Sequence, residues 1–227
     1  MGGMGQINTS MEQDGIIFRE QYVPKDLLDK INSFYKDTND RLSGGPAELG
    51  GEFKSTQKEG CWDRPLRLEV DDNPIHQLLD MLKKDFGEFI IHTSSIRYLA
   101  YPFTLHTDIR GSEWLLESRK KYKTGWTLLI PLAWDEGYNP GTAFFSSPPQ
   151  DNEPLYIEKQ DVLPKLENPS YAKHFSVKSL VKWKNPGDLV FWENYMFHCS
   201  MHDPNWTYSD SKHCKEFISI ETFRPLN

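Results

Sequence analysis

The chain has 227 residues, 37% of them apolar and 13% aromatic, and a formal net charge of −7. That apolar and aromatic content excludes a disordered polymer. The negative charge argues against a sequence-independent grip on nucleic-acid phosphate or on anionic lipid.

No stretch reaches the ~18 apolar residues of a membrane-spanning helix. The first ten residues, MGGMGQINTS, lack the basic and apolar regions of a signal peptide. Three cysteines, Cys61, Cys199 and Cys214, are too few and too irregularly spaced for a disulfide framework. The expectation is one cytoplasmic domain over residues 1–227, with no membrane partner.

Residues 15–22 (GIIFREQY) read as a short strand. A helix is expected over 23–40, with Pro24 in its first turn and Leu27, Leu28, Ile31, Phe34 and Tyr35 at helical spacing. The stretch 42–62 has no periodicity and reads as a loop. A second helix fits 73–88, with Asn73 as its cap. From residue 89 the pattern changes to short apolar and aromatic strands: 89–101, 125–134, 142–147, 179–183, 188–194, 195–200 and 216–223. Turn residues such as Asn139-Pro140-Gly141 and Asn185-Pro186-Gly187 separate them. Helices first and strands afterwards predict a mainly β fold, an antiparallel sandwich or barrel with N-terminal helices packed on it.

The candidate chemistry begins in 101-YPFTLHTDIRG-111. His106 and Asp108 are two residues apart, and on an extended backbone both point to one face. Such a pair fits a metal site, a hydrogen-bonded polar pair or two unrelated surface groups. A third ligand would come from another strand, and 186-PGDLVFWENYMFHCSMHD-203 supplies His198 on a strand returning from a Glu193-Asn194 turn. A sheet element is rigid enough to hold a metal ligand in place. His106, Asp108 and His198 together are two imidazoles and a carboxylate, the set of non-haem Fe(II) oxygenases. It leaves positions open for a chelating co-substrate and dioxygen.

At this point the chain resembles the 2-oxoglutarate- and Fe(II)-dependent dioxygenases, including the prolyl 4-hydroxylase-like and phytanoyl-CoA hydroxylase-like branches. Four pieces carry the resemblance: 97-RYLAYPFTLHTD-108, 125-GWTLLIPLAWDEG-137 with 141-GTAFFSS-147, 187-GDLVFWENYMFH-198, and 215-KEFISIETFRP-225. It implies a double-stranded β-helix (a jelly-roll, cupin-like barrel) over 89–224, preceded by a helical part, 1–88. It implies Fe(II) held by His106, Asp108 and His198, 2-oxoglutarate as co-substrate, and hydroxylation of a small-molecule or peptide substrate by dioxygen, with succinate and CO2 as co-products. Many members bind the far carboxylate of 2-oxoglutarate through an Arg-x-Ser pattern, but here Phe217 stands two before Ser219. Lys215 fits the lysine of other branches and is the first choice. Arg224 and Arg97 are reserves, and Tyr98 is a hydroxyl donor to the same carboxylate.

Blander readings stand beside these. His202 rivals His198, and the Gly-Asp spacing favours His198. Cys199, His202, His213 and Cys214 would make a Cys2His2 zinc set, at a spacing that matches no common zinc module. Trp126, Trp134, Trp183 and Trp192 read as barrel core, whereas Trp62 and Trp114 sit in expected loops. Residues 111–124, with the basic run 119-RKKYK-123, are a candidate lid. The alternative function is a cupin-like protein that binds a metal or small ligand without oxygen chemistry.

Overall fold

The structure is a computed structural model, described here for residues 10–13, 15–37, 62–99, 108, 122–136, 140–146, 176–194, 196–200 and 215–225. In chain order these form β1 (Ser10–Gln13), β2 (Ile16–Arg19), α1 (Lys25–Asp37), β3 (Trp62–Pro65), α2 (Ile75–Phe86), β4 (Ile90–Leu99), β5 (Tyr122–Trp134), β6 (Gly141–Ser146), β7 (Ser176–Lys182), β8 (Leu189–Glu193), β9 (Phe197–Ser200) and β10 (Lys215–Pro225). One sheet has the order β1-β2-β8-β5-β10-β4-β3, the other β7-β6-β9. All the pairings are antiparallel. The fold is therefore mainly β with two helices. No helix among the described residues is long and apolar enough to cross a membrane.

The larger sheet is apolar on both faces, because each face covers a different layer. Ile96, Leu128, Ile130, Ile218 and Ile220 pack with Leu27 and Ile31 of α1 and Ile75, Leu78 and Leu82 of α2. Strand alternation sends Leu129, Val190, Trp192 and Phe217 to the other side, where they meet Phe144, Val181 and Trp183 of the smaller-sheet layer. Each such side chain, fully buried, contributes about 1.5–3 kcal/mol before entropy is counted. The second layer, between the sheets, is where the site lies.

Both expected helices form, with altered starts. The Pro24 carbonyl accepts the Leu28 N–H at 2.9 Å, so Pro24 precedes the first turn of α1 rather than lying inside it. Pro74 occupies the capping position of α2. Asn73 still supplies the acceptor, its Oδ1 taking the Ile75 N–H at 3.0 Å, while its Nδ2 donates to the Leu66 carbonyl at 2.6 Å and to the Tyr35 hydroxyl at 3.0 Å. Two short strands were not expected: β1, and β3, whose Trp62 had been assigned to a loop. Residues 122–124, assigned to the candidate lid, instead extend β5.

The turn at Asn185-Pro186-Gly187 has a clear physical reason. Gly187 has φ +85°, and a Cβ there would lie 2.9 Å from the Val23 carbonyl oxygen. Beside it, the buried Asp188 carboxylate accepts the backbone N–H groups of Gln21 (2.8 Å), Lys184 (2.7 Å) and Asn185 (2.9 Å). The Gly-Asp pair thus knots the β2–α1 connection to the start of β8.

Candidate metal and carboxylate site

β8 leaves the larger sheet at Glu193, turns at Asn194 and enters the smaller sheet as β9. The turn is closed by the Met196 N–H donating to the Glu193 carbonyl at 2.9 Å. It is tied to β5 and β10: the Asn194 N–H donates to the Gly125 carbonyl (3.2 Å) and its Nδ2 to the Thr222 carbonyl (3.0 Å). The Asn194 carbonyl in turn accepts the Asp108 N–H at 3.1 Å. One turn thereby fixes the backbone at Asp108 and launches the strand that carries His198.

The two side chains meet. Asp108 Oδ2 lies 3.6 Å from His198 Nε2, and both side chains are over nine-tenths buried. Thr127 donates its hydroxyl to the same Oδ2 at 2.6 Å, and the Trp192 indole N–H reaches it at 3.3 Å. His198 Nδ1 lies 3.0 Å from the Met196 carbonyl. A carbonyl can only accept, so Nδ1 carries the hydrogen and the neutral ring turns its Nε2 lone pair toward Asp108. In that neutral form two lone-pair atoms would face one another, beyond hydrogen-bond reach. A cation between them, or a proton on Nε2, relieves their repulsion. Rings close the space, with Trp192 at 4.7 Å and Phe144 at 6.2 Å between centroids from His198.

A buried lysine shares this layer. Ser200 lies two residues beyond His198 on β9, so both project from one face. Its hydroxyl oxygen accepts from Lys215 Nζ at 2.7 Å. Lys215, at the start of β10, is 3% exposed. Its ammonium sits 5.0 Å from the centroid of the Trp183 ring and 5.6 Å from that of Phe217. Burial lowers its pKa to about 7, and the neighbouring Cys199 pulls weakly the other way. Burial pushes the Cys199 thiol up to about 11. Among the described residues the Trp183 indole nitrogen is buried with no hydrogen-bond partner.

The other expected residues fall elsewhere. In the β4–β10 register Lys215 opposes Leu99 and Tyr98 opposes Glu216. Alternation therefore puts Tyr98 on the opposite sheet face from Lys215, and the two are not brought together. Arg97 is on the inner face but is engaged by Glu221 (3.6 Å) and by Ser95, to whose Oγ its Nε donates at 3.2 Å. Arg224 pairs with Glu193 at 3.9 Å and lies 4.9 Å from the Trp126 ring centroid. Of the three basic residues, Lys215 is the one buried beside the strand that carries His198.

His106 lies outside the described residues, as do His202, His213, Cys214, Trp114 and the 111–121 part of the candidate lid. Among the described residues no group of three His, Cys, Asp or Glu side chains is placed to hold a metal. Sequence reasoning missed Thr127, Asn194 and the polar role of Trp192. A hydroxyl at an inward position of an otherwise apolar strand, as at Thr127, was the available signal.

No protein-family model matches the chain, and no curated protein matches it in sequence. Solved structures do match in fold. The non-heme alpha ketoglutarate dependent carbocyclase SnoK from nogalamycin biosynthesis superposes with a TM-score of 0.57 at 11% identity, over 93% of this chain and 83% of that one. The epimerase SnoN, in complex with Fe3+, alpha ketoglutarate and nogalamycin RO, superposes with a TM-score of 0.51 at 12% identity, over 93% and 82%. At these identities the likeness is one of fold.

Proposed function

We propose that this chain is an Fe(II)- and 2-oxoglutarate-dependent oxygenase with a double-stranded β-helix core, oxidising a small-molecule or peptide substrate. The observation that carries the reading is the buried Asp108–His198 pair, whose carboxylate Oδ2 and imidazole Nε2 face each other at 3.6 Å. The residues fit a metal: an oxygen and an imidazole nitrogen, each oriented by a second hydrogen bond, as metal ligands commonly are. His106 is the third ligand of the proposal, two residues before Asp108. The fold likeness to SnoK and SnoN supports it, since their names state an alpha ketoglutarate dependence and an iron–alpha ketoglutarate complex.

Bound iron would couple dioxygen reduction to decarboxylation of 2-oxoglutarate and oxidation of the substrate. The chain's own residues do the positioning. Thr127 and Trp192 hold Asp108 Oδ2 and so fix how the carboxylate is turned toward His198. The Met196 carbonyl holds the His198 tautomer. Lys215, steadied by Ser200, receives the far carboxylate, because a buried anion needs a cation. Trp192 and Phe144 keep bulk water from the pair. Hydroxylation is the specific outcome we propose, although the two fold neighbours are named a carbocyclase and an epimerase.

The test is an anaerobic titration of metal-free protein with Fe(II) and then 2-oxoglutarate, watching for the weak visible metal-to-ligand charge-transfer band. Wild type is expected to show the band, His106→Ala to lose it, and Lys215→Ala to need much more 2-oxoglutarate. A wild type that binds metal without the band would sink the oxygenase reading in favour of a cupin-like binding protein.

A further inference from the structure

We infer that the indole N–H of Trp183 is a recognition donor for the far carboxylate of the dicarboxylate co-substrate, shared with Lys215. The inference rests on the reading above and adds a residue that looked from the sequence like plain core. Trp183 is 4% exposed, and its indole nitrogen is one of three buried side-chain polar atoms left without a partner among the described residues. An unsatisfied buried donor costs stability unless something pairs it in the working state.

Its neighbour is the second observation. The Lys215 ammonium, buried on the same inner layer, lies 5.0 Å from the Trp183 ring centroid. The indole nitrogen sits about 2 Å from its own ring centroid, so it is at most ~7 Å from the ammonium, the distance that one carboxylate spans when each of its oxygens accepts a hydrogen bond of about 2.8 Å. The ligand class is thus an anion with two acceptor oxygens. Trp183 is also rigidly held. Its backbone N–H donates to the Pro140 carbonyl at 3.0 Å, and its ring meets Phe217 edge-on at 5.7 Å. A donor fixed in this way selects where the carboxylate ends, and hence the length of the acid.

Indole-15N-labelled protein loaded with Zn(II) supplies a test that needs no turnover. The Trp183 resonance is assigned by its disappearance in Trp183→Phe. With 2-oxoglutarate it should move downfield. With pyruvate, which keeps the chelating keto-acid end but lacks the far carboxylate, it should stay in place. By calorimetry, Trp183→Phe should bind 2-oxoglutarate about tenfold more weakly than wild type, as expected for losing one hydrogen bond to a charged group. If wild type binds 2-oxoglutarate while the resonance stays still and the variant keeps its affinity, this inference alone is wrong. If Zn(II)-loaded wild type binds no 2-oxoglutarate at all, the proposed function falls with it. If the variant does not fold, the resonance is assigned in wild type by connecting the indole to its own backbone signals, and the wild-type spectrum still decides the matter.

Discussion

Thr127 donates its hydroxyl to the Asp108 carboxylate oxygen that faces His198, at 2.6 Å. The two residues belong to different parts of the chain, yet this bond and the Trp192 contact fix how the carboxylate is turned. Hydrogen bonds to that oxygen stop the carboxylate from rotating and keep it turned toward His198, the arrangement by which outer groups tune a metal ligand.

Thr127→Val keeps the shape of the side chain and removes the donor. The expected result is a 10- to 100-fold loss of Fe(II) affinity, the usual range for such partners. Thr127→Ser should keep most of the affinity. Metal titration of the three proteins checks it. Equal affinities would mean that the Asp108 orientation is set without Thr127.

The turn behind Asp108 gives a second prediction. Gly125 lies against β10 where the pairing slips between Glu221 and Phe223, and a Cβ there would fall 1.9 Å from the Thr222 carbonyl oxygen. The same Thr222 carbonyl accepts from Asn194, whose own carbonyl holds Asp108. The clash is with backbone, so it cannot be relieved by turning a side chain. Gly125→Ala should therefore cost more than ~4 kcal/mol, in the exceptional class of point substitutions. It should also weaken metal binding in whatever protein folds. Chemical denaturation and metal titration together read both effects. A loss below ~1 kcal/mol would mean that β5 and β10 can separate at this point.

What the sequence revealed and concealed follows from the same contacts. Helical spacing from Leu27 to Tyr35 was legible because α1 buries one stripe against one sheet. The Asn185-Pro186-Gly187 turn was legible because its backbone demands those residues. The face of each strand was not. In 125-GWTLLIPLAW-134, Leu128 and Ile130 face the helices while Leu129 faces the other sheet, so apolar residues run continuously and no alternation marks the inside. The resemblance grouped Tyr98 with Lys215, and only the β4–β10 register shows that they lie on opposite faces. β1 and β3 were missed because their sequences, SMEQ and WDRP, are mostly polar edge segments with no apolar period. Trp183 looked like core, and it is, but no pattern in a sequence reveals that an indole nitrogen lacks a partner.

Lys215 ties pH to stability as well as to binding. Burial holds its folded-state pKa at about 7, against an ordinary value of 10.5 in the unfolded chain. Between those values the unfolded chain carries a proton that the folded one does not. Stability should therefore rise with pH across that window, and be lowest below pH 7, where the fold must hold a buried charge. Lys215→Met keeps the stem and removes the titrating group. It should be more stable than wild type at pH 6.5, with the difference shrinking toward pH 10. Ligand-free denaturation curves at four or five pH values read this directly, and parallel curves for the two proteins would refute it. The same variant should bind 2-oxoglutarate poorly at every pH. In wild type, binding above pH 7 should take up a proton, since the dianion favours the charged lysine, and affinity should fall up to tenfold per pH unit there. Calorimetry in buffers of different ionisation enthalpy measures that proton, and an uptake of zero at pH 8 would show that another group receives the carboxylate.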